Sequence, residues 1–392
     1  MSDNALQAFG CWIADTPRGW PETAWTSAYR EFIDTVAVMI PGSAAPGTRK
    51  VAAAAAEWGE GACVSVGSSR RRAAPWAALL NGTAGHALDF DDNFDPPKAH
   101  ASTVLFPAIM AIADEHGLAP DDCLDAYVVG LQIQGRVGQG LNPPHRNRGW
   151  HATATTGALG AAAAGARLLG LDARQSSTAL SIATSMAAGF MSQFGTETKP
   201  LHAGLAAKAG VMATALARSG LTAGSDTLEG ATGMATLMVG PDREELRRAI
   251  VNPEHGQCLE FATEGVGEPL LILEHGFRVK RFPNCGSAHR AMDVLQALQQ
   301  EYGFRAEDVA RVDVSAPKVH LNNLMYQCPE SGLQGKFSLE YGLACILISG
   351  DCVLADFTDQ AVRRESHRNL YSRLYRHPVD KLEGECPTEV CV

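Results

Sequence analysis

The sequence lacks an excess of basic residues. Its 392 residues include 33 Lys and Arg against 43 Asp and Glu, which gives a formal net charge of −10 at pH 7. Nucleic acids and anionic membrane surfaces are bound through basic patches. We therefore expect neither a nucleic acid nor a membrane to be a partner of this chain.

The ten cysteines lack the spacing of a metal site. They are scattered between Cys11 and Cys391, and none forms the C-x-x-C pair of zinc ribbons and iron–sulfur proteins. The first twenty residues contain early acids and no apolar run of the kind that marks a secretion signal. We therefore expect reduced thiols in a cytoplasmic protein.

The chain also lacks a long, fully apolar run. The most apolar window, 152–171, is rich in alanine and is interrupted by Arg167, so we expect no transmembrane helix. Hydrophobic residues still make up 46% of the sequence, which is enough for a packed globular protein. The length exceeds that of one ordinary core and predicts two domains.

The first two-thirds of the chain have helical periodicity. The segment 25–40 places six apolar residues on one helical face, namely Trp25, Tyr29, Phe32, Ile33, Val36 and Ile40. An Asp at 121 favours a helix start there. Glycine or alanine recurs every four residues within 151–169, so we expect helices buried on all sides. The pattern predicts further helices over 104–117, 121–138, 151–169, 172–190 and 200–219.

The pattern changes near residue 265. An amphipathic helix over 287–303 precedes an alternating segment, 309–317, which is typical of a strand with one polar face. The sequence thus predicts a mainly α protein, with an all-helical domain over 1–265 and a smaller α+β domain over 266–392. The tail from 383 onward has neither helical nor strand periodicity.

Polar residues of this apolar chain are concentrated in a few short segments. Lysine and arginine bind carboxylates, and histidine or tyrosine can move a proton beside one, so the set suits a small polycarboxylate. The segments are 89–100, 145–151, 196–202, 279–289 and 335–341.

Simpler explanations exist for the same segments. Helix capping explains some of the acids in D-F-D-D-N-F-D. Those acids could also hold Ca²⁺ or Mg²⁺, although the segment lacks the glycine and terminal glutamate of an EF-hand loop. A solvated lysine at 199, an exposed basic turn at 280–281 and a core tyrosine at 341 are the ordinary alternatives elsewhere.

Five motifs in order make the sequence resemble the MmgE/PrpD family, which includes 2-methylcitrate dehydratase, cis-aconitate decarboxylase and iminodisuccinate epimerase. The resemblance implies a large all-helical domain, a smaller α+β lid and a homodimer. It also implies cofactor-free chemistry on a small di- or tricarboxylate in a cleft between the domains. The motifs are LNGTAGHALDFDDNFDPPKAHAS, GWHATATTGALGAAAAGARLLGL, TETKPLHAGLAAKAG, VKRFPNCGSAH and GKFSLEYGLA.

The resemblance also implies roles for individual residues, with none of them binding a metal. It assigns catalysis to Asp89, His100, His151, Lys199 and Tyr341. It assigns substrate binding to Asn93, His202, Lys280 and Arg281.

The sequence departs from the family pattern in places. Cys285 stands where decarboxylase-like members have a histidine, which counts against decarboxylation of cis-aconitate. The lid appears shortened at the C-terminus. The leading hypothesis is an enzyme that removes a proton α to a carboxylate, as 2-methylcitrate dehydratase-like lyases do. Alternatives are an epimerase, an inactive carboxylate-binding paralogue and, last, a metal hydrolase.

Overall fold

The computed structural model describes residues 4–381 and 386–392. They form two compact units, each built from more than one stretch of chain. Unit 1 contains residues 1–87, 91–192 and 200–279, and unit 2 contains residues 88–90, 193–199 and 280–392.

Unit 1 is helical, apart from one short strand. Its core is formed by alanine, leucine, valine and phenylalanine side chains of the longer helices. Its elements are α1 (Ala5–Asp15), α2 (Glu22–Gly42), α3 (Pro46–Ala54), β1 (Glu60–Cys63), α4 (Ala74–His86), α5 (Ser102–His116), α6 (Pro120–Leu141), α7 (Pro144–Asn147), α8 (Ala152–Leu168), α9 (Ala173–Thr184), α10 (Thr198–Arg218), α11 (Met234–Val239), α12 (Arg243–Ala249) and α13 (Leu271–Glu274). Helix α10 begins two residues before the third stretch of unit 1, which starts at residue 200.

Glycines allow α6 and α8 to approach closely. A Cβ atom on Gly130 would lie 2.7 Å from Cβ of Ala164 and 2.8 Å from the carbonyl oxygen of Gly160. Every residue of α8 is buried, which confirms the prediction made from its small residues. Such contact requires residues without bulk on both helices.

The predicted apolar face of α2 is only partly buried. Tyr29, Ile33 and Ile40 are 56%, 49% and 58% exposed. Phe32, on the same face, packs against the core of unit 1. The side of α2 that packs against α4 buries Glu31, which is only 5% exposed, so hydrophobic periodicity alone does not identify the inner side.

Several helix boundaries differ from the prediction. Helix α6 begins at Pro120 with Ala119 as its N-cap, so Asp121 is not the cap. Helix α9 ends at Thr184 instead of continuing to 190. The predicted end of α5 is confirmed, because Gly117 adopts φ 65° at the C-cap.

Unit 2 combines a three-stranded sheet with helices. The sheet order is β3-β2-β4, with β2 parallel to β3 and antiparallel to β4. Its elements are α14 (Gly286–Tyr302), β2 (Val312–Pro317), α15 (Lys318–Asn323), α16 (Gly332–Gly335), α17 (Leu339–Ser349), α18 (Asp359–Val362), α19 (Glu365–Arg368), β3 (Leu374–Val379) and β4 (Glu389–Cys391).

The sheet and two helices enclose a second core. Val312 and Val314 point inward from β2, and Met292 and Leu343 contribute from α14 and α17. The mainly α fold class with a smaller α+β part is thus confirmed. The tail is not wholly without regular structure, because β4 pairs Val390 with Val314. Residues 382–385 of the tail lie outside the described part of the chain.

Across residues 4–381 and 386–392, every helix is too short or too polar to cross a lipid bilayer.

Candidate active site

A buried carboxylate in unit 2 is shared by two lysines. The Nζ atoms of Lys199 and Lys280 each lie 2.8 Å from Oδ1 of Asp89. All three side chains are at most 5% exposed. Within this trio two lysine side chains donate to the same carboxylate oxygen.

The backbone at Asp89 has a left-handed conformation, with φ 49°. Such conformations are uncommon outside glycine, although aspartate adopts them more readily than most residues. The carbonyl oxygen of Asp89 also accepts a hydrogen bond of 2.8 Å from Lys280 Nζ. Lys280 therefore holds both the side chain and the main chain of Asp89 in place.

A third lysine extends this site. Lys336 Nζ donates to the carbonyl oxygens of Leu88 and Pro283, both at 2.6 Å. Burial lowers the pKa of Lys336 to about 7, with Asp89 opposing the shift and the other two lysines adding to it. We call Asp89, Lys199, Lys280 and Lys336 the lysine cluster.

Cys285 and His289 belong to the helix that follows Lys280. Cys285 is the N-cap of α14, and His289 lies in its first turns. Burial, followed by the charge of Lys280, lowers the pKa of His289 to about 4, so this ring is neutral at physiological pH. Its Nε2 lies 3.3 Å from the carbonyl oxygen of Asn284.

Unit 1 contains a buried group of histidines around Asp91. His86 Nδ1 lies 2.7 Å from Asp91 Oδ2, and His100 Nδ1 lies 3.5 Å from the same oxygen. The rings of His86 and His100 have centroids 4.6 Å apart. A carboxylate at this distance orients an imidazole and stabilises its protonated form.

A second pair of histidines joins this group. His151, the N-cap of α8, has its ring centroid 5.8 Å from that of His86. Its Nδ1 lies 3.0 Å from Nδ1 of His202. One of these nitrogens must donate and the other accept, so the pair shares a proton between two rings. We call His86, Asp91, His100, His151 and His202 the histidine cluster.

The histidine cluster also contains atoms of the kinds that bind zinc. Ligand atoms of His86, Asp91 and His100 lie within 4.8 Å of one another. In the structure these atoms interact directly as an imidazole–carboxylate set. Such a set suits proton transfer without a metal.

The remaining predicted residues lie apart from these contacts. The hydroxyl of Tyr341 donates to the carbonyl oxygen of Asp356 in the core of unit 2. The guanidinium of Arg281 pairs with Asp293 at 2.7 Å, and its side chain is 56% exposed. The backbone of Asn93 forms a bridge with Arg278. The roles assigned to these residues stay predictions.

Three residues of the clusters, His86, Asp91 and Lys336, were not assigned a role from the sequence. His86 precedes the acids of the first polar segment, and Lys336 stands five residues before Tyr341. His86 and Lys336 lie inside motifs of the family resemblance, so the motifs themselves could have identified these two residues. The role of Lys336 depends on two carbonyl groups that are distant in sequence, which no spacing reveals.

Comparisons with known proteins identify the family of the chain. A model of the MmgE/PrpD N-terminal domain matches residues 7–247, and one of the MmgE/PrpD C-terminal domain matches residues 282–392. Cis-aconitate decarboxylase of Mus musculus is 29% identical over 78% of this chain and 61% of its own length.

Other relatives have similar names. Human cis-aconitate decarboxylase is 28% identical over 78% of the chain and 62% of its own length. A cis-aconitate decarboxylase-like protein, oryM, of Aspergillus oryzae is 27% identical over 97% of the chain and 82% of its own. The chain thus spans about three fifths of the mammalian decarboxylases it matches. Because the two family models together match most of the chain, it belongs to the MmgE/PrpD family.

Proposed function

We propose that this chain is a cofactor-independent lyase that acts on a small di- or tricarboxylate. The observation that carries the proposal is the lysine cluster, in which Lys199 and Lys280 face a single carboxylate in a buried site. A substrate carboxylate would accept charge-assisted hydrogen bonds from these ammonium groups. Ammonium groups fixed in a low-dielectric site also stabilise the negative charge that develops on a carboxylate when the adjacent carbon is deprotonated.

The histidine cluster supplies the proton transfer in this proposal. His100 or His151 would remove or return the proton, and Asp91 would stabilise the imidazolium that forms next to it. The hydrogen bond between His151 and His202 allows the proton to pass on to a second ring. Asp89 acts as a positioning residue, because it fixes the two lysines.

The names of the relatives favour decarboxylation of cis-aconitate as the first reaction to test. Loss of CO₂ leaves an electron pair on a carbon atom, and this carbon must then take up a proton. Decarboxylation would therefore use both the lysine cluster and the histidine cluster. Dehydration of a 2-methylcitrate-like substrate needs in addition an acid near the hydroxyl group that leaves. Cys285, in place of a histidine, motivates keeping dehydration in the test.

An epimerase is the second candidate. Epimerisation needs two proton-transfer groups on opposite faces of one carbon. His100 and His151 both lie beside His86, with ring centroids 4.6 and 5.8 Å from it, which gives two separate groups.

Proton NMR in D₂O tests these proposals. The protein is incubated in parallel with cis-aconitate, 2-methylcitrate, citrate and iminodisuccinate, with and without EDTA. Itaconate-like signals would identify the decarboxylase, a new alkene from a hydroxyacid the dehydratase, and deuterium exchange alone the epimerase. Loss of turnover with EDTA, in a chain whose circular dichroism and melting temperature stay unchanged, would favour a metal enzyme instead.

Single variants connect the reaction to the histidine cluster. His100→Asn and His151→Asn should each lower kcat by roughly 100-fold or more, the usual loss for a general acid or base. The control is His116→Asn, at the exposed end of α5. Unchanged spectra with all four compounds, together with a raised melting temperature, would show a carboxylate-binding protein without this activity.

A further inference from the structure

Two cysteines and an aspartate meet inside unit 2, away from the contacts of the lysine cluster. Ligand atoms of Cys345, Cys352 and Asp356 all lie within 4.8 Å of one another. Both cysteines are at most 1% exposed. We propose that these three residues, with His367, form a structural binding site for Zn²⁺ or a similar thiophilic divalent metal.

The fold brings the donors together from four short segments. Cys345 lies on α17, which ends where Gly350 reverses the chain with φ 75°. Cys352 follows this reversal, and Asp356 lies on the 3₁₀ turn Leu354–Phe357. His367 comes from α19 and is 3% exposed. The 3₁₀ turn and α19 have only four residues each, so their own hydrogen bonds would hold Asp356 and His367 weakly.

The thiols already contact one another and the histidine. Cys345 is hydrogen-bonded to both Cys352 and His367. Binding of a divalent ion would deprotonate the thiols, because the thiolate is the form of cysteine that binds a metal.

The surrounding groups orient the donors as in a metal site. Asp356 Oδ2 accepts a hydrogen bond of 2.9 Å from the backbone of Val353, while Oδ1 lies 3.5 Å from Arg364. His367 Nδ1 lies 3.2 Å from Ser366 Oγ, and its ring rests against Tyr341. Outer contacts of this kind fix the angle of ligating carboxylates and imidazoles. The ring contact with His367 also places Tyr341 beside the proposed metal site.

The donor set fits zinc better than calcium or magnesium. Two sulfurs, one nitrogen and one oxygen make a tetrahedral set, whereas the hard cations take only oxygen. Two thiolates on one zinc ion are about 3.8 Å apart, as follows from Zn–S bonds of about 2.3 Å. Ligand atoms of Cys345, Cys352 and Asp356 already lie within 4.8 Å of one another, and His367 is joined to the set by its hydrogen bond with Cys345.

A bound metal would tie the segment 350–368 to α17. Phe357, next to Asp356, lies under the ammonium group of Lys336, 4.4 Å from ring centroid to Nζ. The metal would thereby hold a wall of the lysine cluster. The proposal does not depend on the reaction, because a metal can stabilise unit 2 whatever the substrate.

Cobalt binding to the whole chain tests the site. Metal-free protein, prepared by chelation under reducing conditions, is titrated with Co²⁺ alone. We expect one equivalent to give a thiolate-to-cobalt charge-transfer band in the near ultraviolet, and the intense visible bands of tetrahedral cobalt. Cys352→Ser should roughly halve the charge-transfer band, while His367→Gln should change the visible bands and keep the charge-transfer band.

The controls separate this site from other thiols and from misfolding. Cys328→Ser, an exposed cysteine of unit 2, should leave both sets of bands unchanged. Circular dichroism reports whether each variant is folded, and Asp356→Asn offers a variant that keeps both thiols. Absence of the charge-transfer band in the folded parent chain would overturn the proposal. An unchanged band in Cys352→Ser would also overturn it, as would a Cys345–Cys352 disulfide formed in air that leaves no thiol to titrate.

Discussion

The two ion pairs of Asp89 make a direct prediction at the scale of single residues. Lys199→Met or Lys280→Met keeps the length of the side chain and removes one ammonium group from the buried trio. Loss of a buried charge-assisted contact should weaken carboxylate binding by roughly 30- to 1,000-fold, or about 2–4 kcal/mol. Calorimetric titration with citrate measures this, and Lys318→Met on the exposed surface of unit 2 is the control. Equal affinities in all three variants would place carboxylate binding elsewhere.

Lys336 should make carboxylate binding depend on pH. Its pKa lies at about 7, so the side chain is charged below that pH and largely neutral above it. An anion is attracted only by the charged form, and affinity for succinate should fall roughly tenfold as pH rises from 6.5 to 8.5. The dependence should disappear in Lys336→Met. If succinate affinity in Lys336→Met depends on pH as it does in the parent protein, the pH dependence belongs to another group.

The buried carboxyl group of Glu31 should make unit 1 less stable in alkaline solution. Burial, followed by the charge of Asp34, raises the pKa of Glu31 to about 8. The folded state therefore keeps a proton that the unfolded state loses from about pH 4.5, and stability falls as pH rises from about 4.5 to about 8.

Replacement of this residue gives the measurement. Glu31→Gln should raise the melting temperature at pH 8 and flatten its dependence on pH, whereas Glu57→Gln, at an exposed position, should do neither. A melting temperature that still falls as steeply in Glu31→Gln would assign the pH dependence to the other buried acids, Asp34 and Asp92.

At the scale of secondary-structure elements, periodicity predicts an element well where one face is apolar and the other polar. Helix α14 and strand β2 have this pattern, and both lie close to their predicted ranges. Helix α2 does not, because its buried side includes the polar residues Glu31 and Thr35 while Tyr29 and Ile33 are exposed. Strand β4 could not be predicted, since three residues become a strand only by pairing with β2, about 75 positions earlier in the chain.

The contact between α6 and α8 predicts which glycines tolerate a methyl group. Gly130→Ala would place its Cβ atom 2.7 Å from Ala164. Overpacking should cost about 1–3 kcal/mol, of which better helix propensity recovers up to about 1 kcal/mol. Urea unfolding measures the difference. Gly19→Ala, with no neighbouring atom within 4 Å, should be neutral, and a neutral Gly130→Ala would mean that the helices can move apart.

At the scale of the whole molecule, two units with separate cores should unfold in separate steps. Calorimetry should resolve more than one transition, as expected for a chain with two domains. The lysine cluster lies wholly within unit 2. Citrate should therefore raise the transition of unit 2, and Lys280→Met should abolish that rise. A single transition in all conditions would show that the units unfold together.

The sequence allowed the site to be predicted only as a set of motifs. Recognition of the motifs named Asp89, Lys199 and Lys280, and these do meet. Which residues share a cluster could not be read from spacing, because residues 89, 199 and 280 are about 80 to 110 positions apart. The cysteine–aspartate cluster was missed for a similar reason, since its donors lie on separate short segments and not in a C-x-x-C pair.

Unit 2 is assembled from three stretches of the chain, and this limits how the protein can be dissected. A fragment of residues 280–392 would contain Lys280 and Lys336 but would lack the stretches 88–90 and 193–199. It would bury two amines without the aspartate that accepts from Lys280 and without the carbonyl group of Leu88 that accepts from Lys336. Expressing residues 280–392 alone therefore removes the carboxylate of Asp89 that pairs with Lys280, as well as the other unit. Domain exchange between homologues would have to transplant all three stretches together.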